Sequence, residues 1–188
     1  MGTKEIYRKK CKRYNIPGHA HELTFSCYRH QPLLKNPRYC DYLAQAIVLA
    51  KDKHNFDLWA YVFMPEHIHL VIYPKVRDYS ISLILQTIKQ SVSRKAIRQF
   101  KQKNPAGLKK LATGQKGQPY RFWQAGGGYD RNIKSDHSVV NVIRYIHNNP
   151  VRRKLVEHPS RWHYSSALDW SGEGTGPIPI DFESYTVT

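Results

Sequence analysis

Acidic residues are scarce in this chain. Only 14 Asp and Glu stand against 30 Lys and Arg in 188 residues, leaving a formal charge of +16 at pH 7. So one-sided a balance points to an anionic polymer as partner, nucleic acid first and an acidic membrane second. Cysteine is scarce too. Cys11, Cys27 and Cys40 are odd in number and widely spaced. They match neither a disulfide framework nor a Cys-x-x-Cys zinc site, and they suit a reduced, cytoplasmic compartment. No apolar run approaches the ~20 residues that span a bilayer. Lys4, Arg8, Lys9 and Lys10 are followed by no apolar stretch, so the N-terminus does not read as a secretory signal. Together these gaps exclude a disulfide-stapled secreted domain, a membrane-spanning chain and a zinc deaminase. Aromatic residues, by contrast, reach 12%, with 13 Tyr. That content excludes a disordered basic tail and leaves a single globular domain large enough to bury a core.

The positive charge is unevenly spread. Residues 171–188 hold no Lys or Arg, and their acids are Glu173, Asp181 and Glu183. The reading is one domain over 1–170, opened by a basic arm (1–16), and an acidic Gly- and Pro-containing tail (171–188). The arm carries Arg8, Lys9, Lys10, Lys12 and Arg13, with Tyr7 and Tyr14 between them. Opposite charges suggest that the tail lies across the basic face and competes with DNA; the plainer reading is a loose solubilising end.

Local patterns give an order of elements. The segment 21–28 has strand composition. Asn36-Pro37 is a helix start, with Asn as cap and Pro at the first position, and apolar residues at helical spacing carry that helix to about Lys53. Segments 56–63 and 67–73 read as a hairpin pair of strands, punctuated by Met64-Pro65-Glu66. A long helix covers 80–102, with Ile81, Ile84, Leu85, Ile88 and Val92 as its stripe. Residues 103–119 read as loop, and 121–125 as a short strand followed by irregular chain. A last helix starts at Ser135 or Asp136, is striped by Val139, Val142, Ile143 and Ile146, and stops before Pro150. The order β-α-β-β-α-β-α predicts an α+β fold with helices on one face of an antiparallel sheet.

Two constellations carry chemistry. In a strand, alternate residues share a face, so His67 and His69 stand side by side while Ile68, Leu70 and Ile72 face the core. Two adjacent imidazoles can chelate a divalent metal, or be a solvated or hydrogen-bonded pair. On the last helix Tyr145 and Asn149 are four apart and share a flank beside the apolar stripe. If that stripe packs on the sheet, a phenol and an amide oxygen come near the imidazoles. Glu66, just before the first histidine, is an auxiliary candidate for polarising a ligand or taking a proton. His147 lies on a different helix face from Tyr145 and is a poor base.

These stretches carry a resemblance. Val62-Phe63-Met64-Pro65-Glu66-His67-Ile68-His69-Leu70 closely resembles the HUH motif of single-tyrosine transposases. Arg144-Tyr145-Ile146-His147-Asn148-Asn149-Pro150-Val151 resembles the helix that carries their nucleophile. Phe122-Trp123-Gln124, Tyr129-Asp130-Arg131 and Trp162-His163-Tyr164-Ser165-Ser166 follow in the same order, so the likeness spans roughly residues 5 to 166. The branch it is most similar to is the REP-associated tyrosine transposases, relatives of insertion-sequence transposases.

The resemblance implies a ferredoxin-like α+β core of the HUH endonuclease type. It implies metal-dependent cleavage and rejoining of single-stranded DNA at a hairpin or palindromic element, through a 5′-phosphotyrosine. Carried over by position, Tyr145 is the nucleophile, and His67, His69 and Asn149 hold a divalent metal, Mg²⁺ or Mn²⁺. The protein would work in a prokaryotic cytoplasm, on the nucleoid when DNA-bound, as a monomer or a homodimer. For DNA contact the candidates are Arg8, Lys9, Lys10, Lys12, Arg13, Lys89, Arg94, Lys95, Arg98 and Arg131, with Tyr129 and Trp123 for stacking on bases. Trp59 and Trp162 read as core. Two other readings stay open: a hairpin-binding protein on the same fold without strand transfer, and an unrelated metal-dependent nucleic-acid hydrolase or RNA-binding protein.

Overall fold

The computed structural model describes residues 13–185. Arg8, Lys9, Lys10, Lys12 and Tyr7 lie outside the described residues. Strand β1 (Ala20–Ser26) is followed by two 3₁₀ turns and helix α1 (Pro37–His54). The Asn36 side chain accepts from the Arg38 N–H at 3.1 Å, satisfying a donor the helix start leaves free. Strands β2 (Phe56–Phe63) and β3 (His67–Pro74) form the expected hairpin, and helix α2 (Ile81–Lys103) is capped by Ser80, which accepts from Leu83 N–H.

The chain 103–119, expected as loop, holds a short helix α3 (Pro105–Lys109) and a small hairpin, β4 (Ala112–Gln115) and β5 (Gln118–Tyr120). The strand expected at 121–125 is not there. Phe122 and Trp123 are buried as a plug under the helices, and only one isolated bridge, Cys27 to Trp123, pairs that stretch. The strand forms later as β6 (Tyr129–Ile133), whose alternation of exposed and half-buried residues is too polar to signal a core strand. Helix α4 (Asp136–His147) then leads into α5 (Asn149–Arg152). Pro150 does not end helical chain here, because in the first turn of a new helix its missing N–H has no partner to lose. The last helix is α6 (Ala167–Ser171).

The main sheet has the order β2-β3-β1-β6, with every neighbouring pair antiparallel. With two crossover helices this is the ferredoxin-like arrangement. The helices do not share one face. On one side α1 and α2 bury Ile68, Leu70 and Ile72 against Ile47, Ile84 and Ile88. On the other, α4 packs Val139, Val142, Ile143 and Ile146 on Ala60, Val62 and Val71. The reason is legible in β2: all eight of its residues are buried, which requires cover on both faces.

The described part of the acidic tail, residues 171–185, packs along β2 rather than across the basic face, and it is not loose. Asp181 pairs with Lys51, accepts from Leu58 N–H and donates its own N–H to the Leu58 carbonyl, while Ile178 is 1% exposed. With Tyr164 and Ser166 bonding Phe63 and Tyr61, the C-terminal segment seals the outer edge of β2.

Candidate active site

His67 and His69 lie on inner strand β3, opposite Ser26 and Thr24 of β1. Their Nε2 atoms approach to 3.1 Å, with ring planes 80° apart. Each outer nitrogen is held by a different partner. His67 Nδ1 donates to Glu66 Oε1 at 2.9 Å, and His69 Nδ1 meets the Thr24 hydroxyl at 2.8 Å. The carboxylate can only accept, so the proton of His67 sits on Nδ1 and its Nε2 keeps a lone pair.

Burial disfavours the imidazolium at both rings. It lowers His69 to about 4, with the neighbouring His67 adding to the effect; His67 is lowered less, because Glu66 pulls the other way. Both rings are neutral at pH 7, the form that binds metals. Burial also works against the Glu66 charge, but hydrogen bonds from Arg153 and His67 outweigh it and hold this carboxyl below its ordinary value.

Tyr145 projects from α4 over this pair. Its ring stands edge-on to His69, with centroids 6.4 Å apart, and is half exposed. The Arg152 guanidinium lies over the phenol, 5.0 Å from the ring centroid. Asn149 follows one turn later, partly buried. Its Nδ2 is fully buried and has no hydrogen-bond partner among the described residues, an arrangement that costs about 1–3 kcal/mol if left so. The residues therefore fit a divalent cation. Two imidazole Nε2 atoms sit at the ~3 Å gap that neighbouring ligands of one ion span, and their outer nitrogens are anchored by Glu66 and Thr24.

A groove of about 620 Å³ opens beside His69 and Tyr145, lined also by Glu22, Thr24, Tyr129 and Arg131. A second depression of about 390 Å³ shares Thr24 and Tyr129 with it and continues past Arg13, Lys89 and Gly126–Gly128. A third, of about 420 Å³, shares Lys89, Gln124 and Gly126 with the second and adds Arg94, Arg121 and Trp123.

Several of the expected DNA contacts already have partners within the chain. Arg13 forms an ion pair with Asp130 and donates to the Gly127 carbonyl, and Lys89 donates to the carbonyls of Gln124 and Gly126. Arg131 pairs with Glu22 at 2.8 Å. Lys95 turns toward α1, onto Gln45 and the Tyr42 ring. Arg94, Arg98 and Tyr129 are exposed. His147 is buried and bonded to Ser166 Oγ, away from the phenol. Gly128 lets the loop pass close to the site: at φ +76° a Cβ there would lie 2.0 Å from the Thr24 carbonyl oxygen.

Sequence reasoning missed Thr24, Arg152 and Arg153. Alternation in β1 does put Glu22, Thr24 and Ser26 on the histidine face, so Thr24 carried a readable signal. Arg152 lies only seven residues after Tyr145, a spacing that brings helical residues back to one side, so it too was readable; Arg153 carried no signal, since Glu66 is 87 residues away.

The model of the family described as "Transposase IS200 like" matches residues 12–149, a span that includes both histidines and ends on Asn149. This chain belongs to the IS200-like transposase family. It is accordingly an enzyme of the HUH tyrosine-transposase type. The REP-associated tyrosine transposase of Escherichia coli (strain K12) is 26% identical over 174 residues, covering 87% of this chain and 92% of that one. In fold, this IS200-like chain is similar to a solved REP-associated tyrosine transposase bound to a REP hairpin. There the TM-score is 0.68 with 23% identity, over 96% of this chain and 94% of that chain.

Proposed function

We propose that this IS200-like transposase cuts and rejoins single-stranded DNA at a hairpin element through a 5′-phosphotyrosine on Tyr145. The observation that carries the reading is the half-exposed phenol standing edge-on to His69, whose Nε2 meets that of His67. The relative with the same fold is bound to a REP hairpin, which supports hairpin DNA as the substrate.

In the proposed reaction Tyr145 Oη attacks the scissile phosphorus in line. The P–O3′ bond breaks, the phenolic proton leaves to solvent or to the 3′-oxygen, and the 5′-phosphate stays on the tyrosine. A later 3′-hydroxyl attacks the phosphotyrosine and releases the phenol, so the bond count is conserved and no nucleotide cofactor is consumed. His67, His69 and Asn149 would hold a divalent cation, Mg²⁺ or Mn²⁺, which neutralises charge on the scissile phosphate when bound. Glu66 and Thr24 keep the two imidazoles turned toward that point. Tyr145 stands beside His69 of its own chain, which supports attack within one copy.

The test is a labelled hairpin incubated with protein and Mn²⁺, then resolved under denaturing conditions. Wild type forms a covalent adduct and Tyr145→Phe forms none. An adduct on Tyr145→Phe overturns the nucleophile assignment, and a wild type that binds hairpins without forming any adduct is a binding protein instead.

A further inference from the structure

Helix α5 begins at Asn149, and the chain at its end sends two consecutive arginines to different parts of the site. Arg152 lies over the ring of Tyr145. Arg153 Nη1 donates to Glu66 Oε1, the same oxygen that accepts from His67 Nδ1. Glu66 sits in the turn between β2 and β3, where its own carbonyl accepts from Cys27 N–H at 2.7 Å and the Pro65 carbonyl accepts from Leu34 N–H at 2.9 Å. The turn is therefore fixed, and what remains free is the direction of the carboxylate.

We propose that Arg152 and Arg153 are positioning residues for strand transfer: Arg153, acting through Glu66, fixes the ring of His67, and Arg152 holds the Tyr145 phenol in place beside His69. This rests on the reading of Tyr145 as nucleophile. A carboxylate on the outer N–H of a histidine sets its tautomer and ring plane. A glutamate at a turn has several rotamers of similar energy, and a guanidinium on one oxygen selects among them. The contact joins residues 87 apart in sequence, so it exists only when the tyrosine helix is docked on the β2–β3 turn. Docking of the nucleophile and orientation of the first histidine are thereby one event. Tyr145 has little packing of its own, being half exposed, and a guanidinium over its face restricts the ring.

The test uses the full chain in three measurements, with thermal unfolding as a check on folding. Hairpin affinity in chelator stays within about threefold of wild type for Arg152→Ala, Arg153→Ala and Glu66→Gln. Calorimetric Mn²⁺ titration without DNA shows affinity reduced about tenfold in Glu66→Gln and Arg153→Ala, and unchanged in Arg152→Ala. The first-order rate of adduct formation at saturating hairpin and Mn²⁺ falls at least about tenfold in all three. Arg153→Lys recovers most of the rate because a lysine still donates to Glu66. Arg152→Lys does not, lacking the flat group that stacks on the ring. The exchange Glu66→Arg with Arg153→Glu restores the ion pair but gives His67 no acceptor, and it stays slow.

Full recovery in the exchange overturns the route through His67. Wild-type rates in the single variants, or losses confined to hairpin affinity, overturn the proposal as a whole. If wild type forms no adduct while the Mn²⁺ titrations still separate the variants, the strand-transfer reading fails and the Arg153–Glu66–His67 link stands.

Discussion

Two imidazoles that look equivalent in sequence have unlike outer partners, a carboxylate for His67 and a hydroxyl for His69. Thr24→Val keeps the shape of the strand and removes the hydroxyl. It is expected to weaken Mn²⁺ binding about 10- to 100-fold with little change in unfolding midpoint, which calorimetry beside a urea titration will check. Lys89 gives a pH prediction. Burial, with a smaller push from Arg13, lowers this lysine from 10.5 to about 8 in the folded chain. Between those values the unfolded chain binds the extra proton, so this group makes stability rise with pH across roughly pH 8 to 10.5. Lys89→Met removes that slope. The urea midpoint of wild type should gain on the variant as pH climbs through this window; a constant difference contradicts the assignment.

Elements defined by their own periodicity were legible from sequence. The 3.6-residue stripe of α4, the Asn-Pro start of α1 and the period-two alternation of β3 each state a local rule, and each element formed. What stayed hidden depends on partners remote in the chain. Periodicity shows that α4 has an apolar face, but not which side of the sheet receives it. Phe122 and Trp123 are apolar because they plug the core, while β6 is a polar edge strand recognisable only by its register with β1. At the site, the pairing of His67 with His69 followed from alternation. Thr24 depended on strand register, and Arg153 on how the tyrosine helix docks.

The tail was misread for a similar reason: its charge was visible, and the seat of Ile178 beneath Tyr61 was not. Truncation after Ser171 is therefore expected to destabilise the fold by at least about 2 kcal/mol, from the loss of one buried isoleucine alone, read as a lower urea midpoint. An unchanged midpoint with faster adduct formation would restore the idea of a tail that competes with DNA.

At the scale of the whole molecule, the charge of +16 suits an anionic polymer, whereas the proposed chemistry rests on two neutral rings, an amide and a phenol. Binding through phosphates releases counterions, so hairpin affinity should fall about 100-fold or more between 50 and 200 mM salt. A change below about threefold, measured by fluorescence anisotropy, would remove the phosphate-contact reading. The covered edge of β2 has one more consequence. With that side closed by the chain's own C-terminal segment, β6 is the unpaired border of the main sheet among the described residues. It is five residues long and presents Tyr129 and Arg131 to solvent, a border too short and too charged to template a foreign strand. A sheet built on so apolar a hairpin is thus kept from stacking into aggregates by its two margins, one sealed and the other charged.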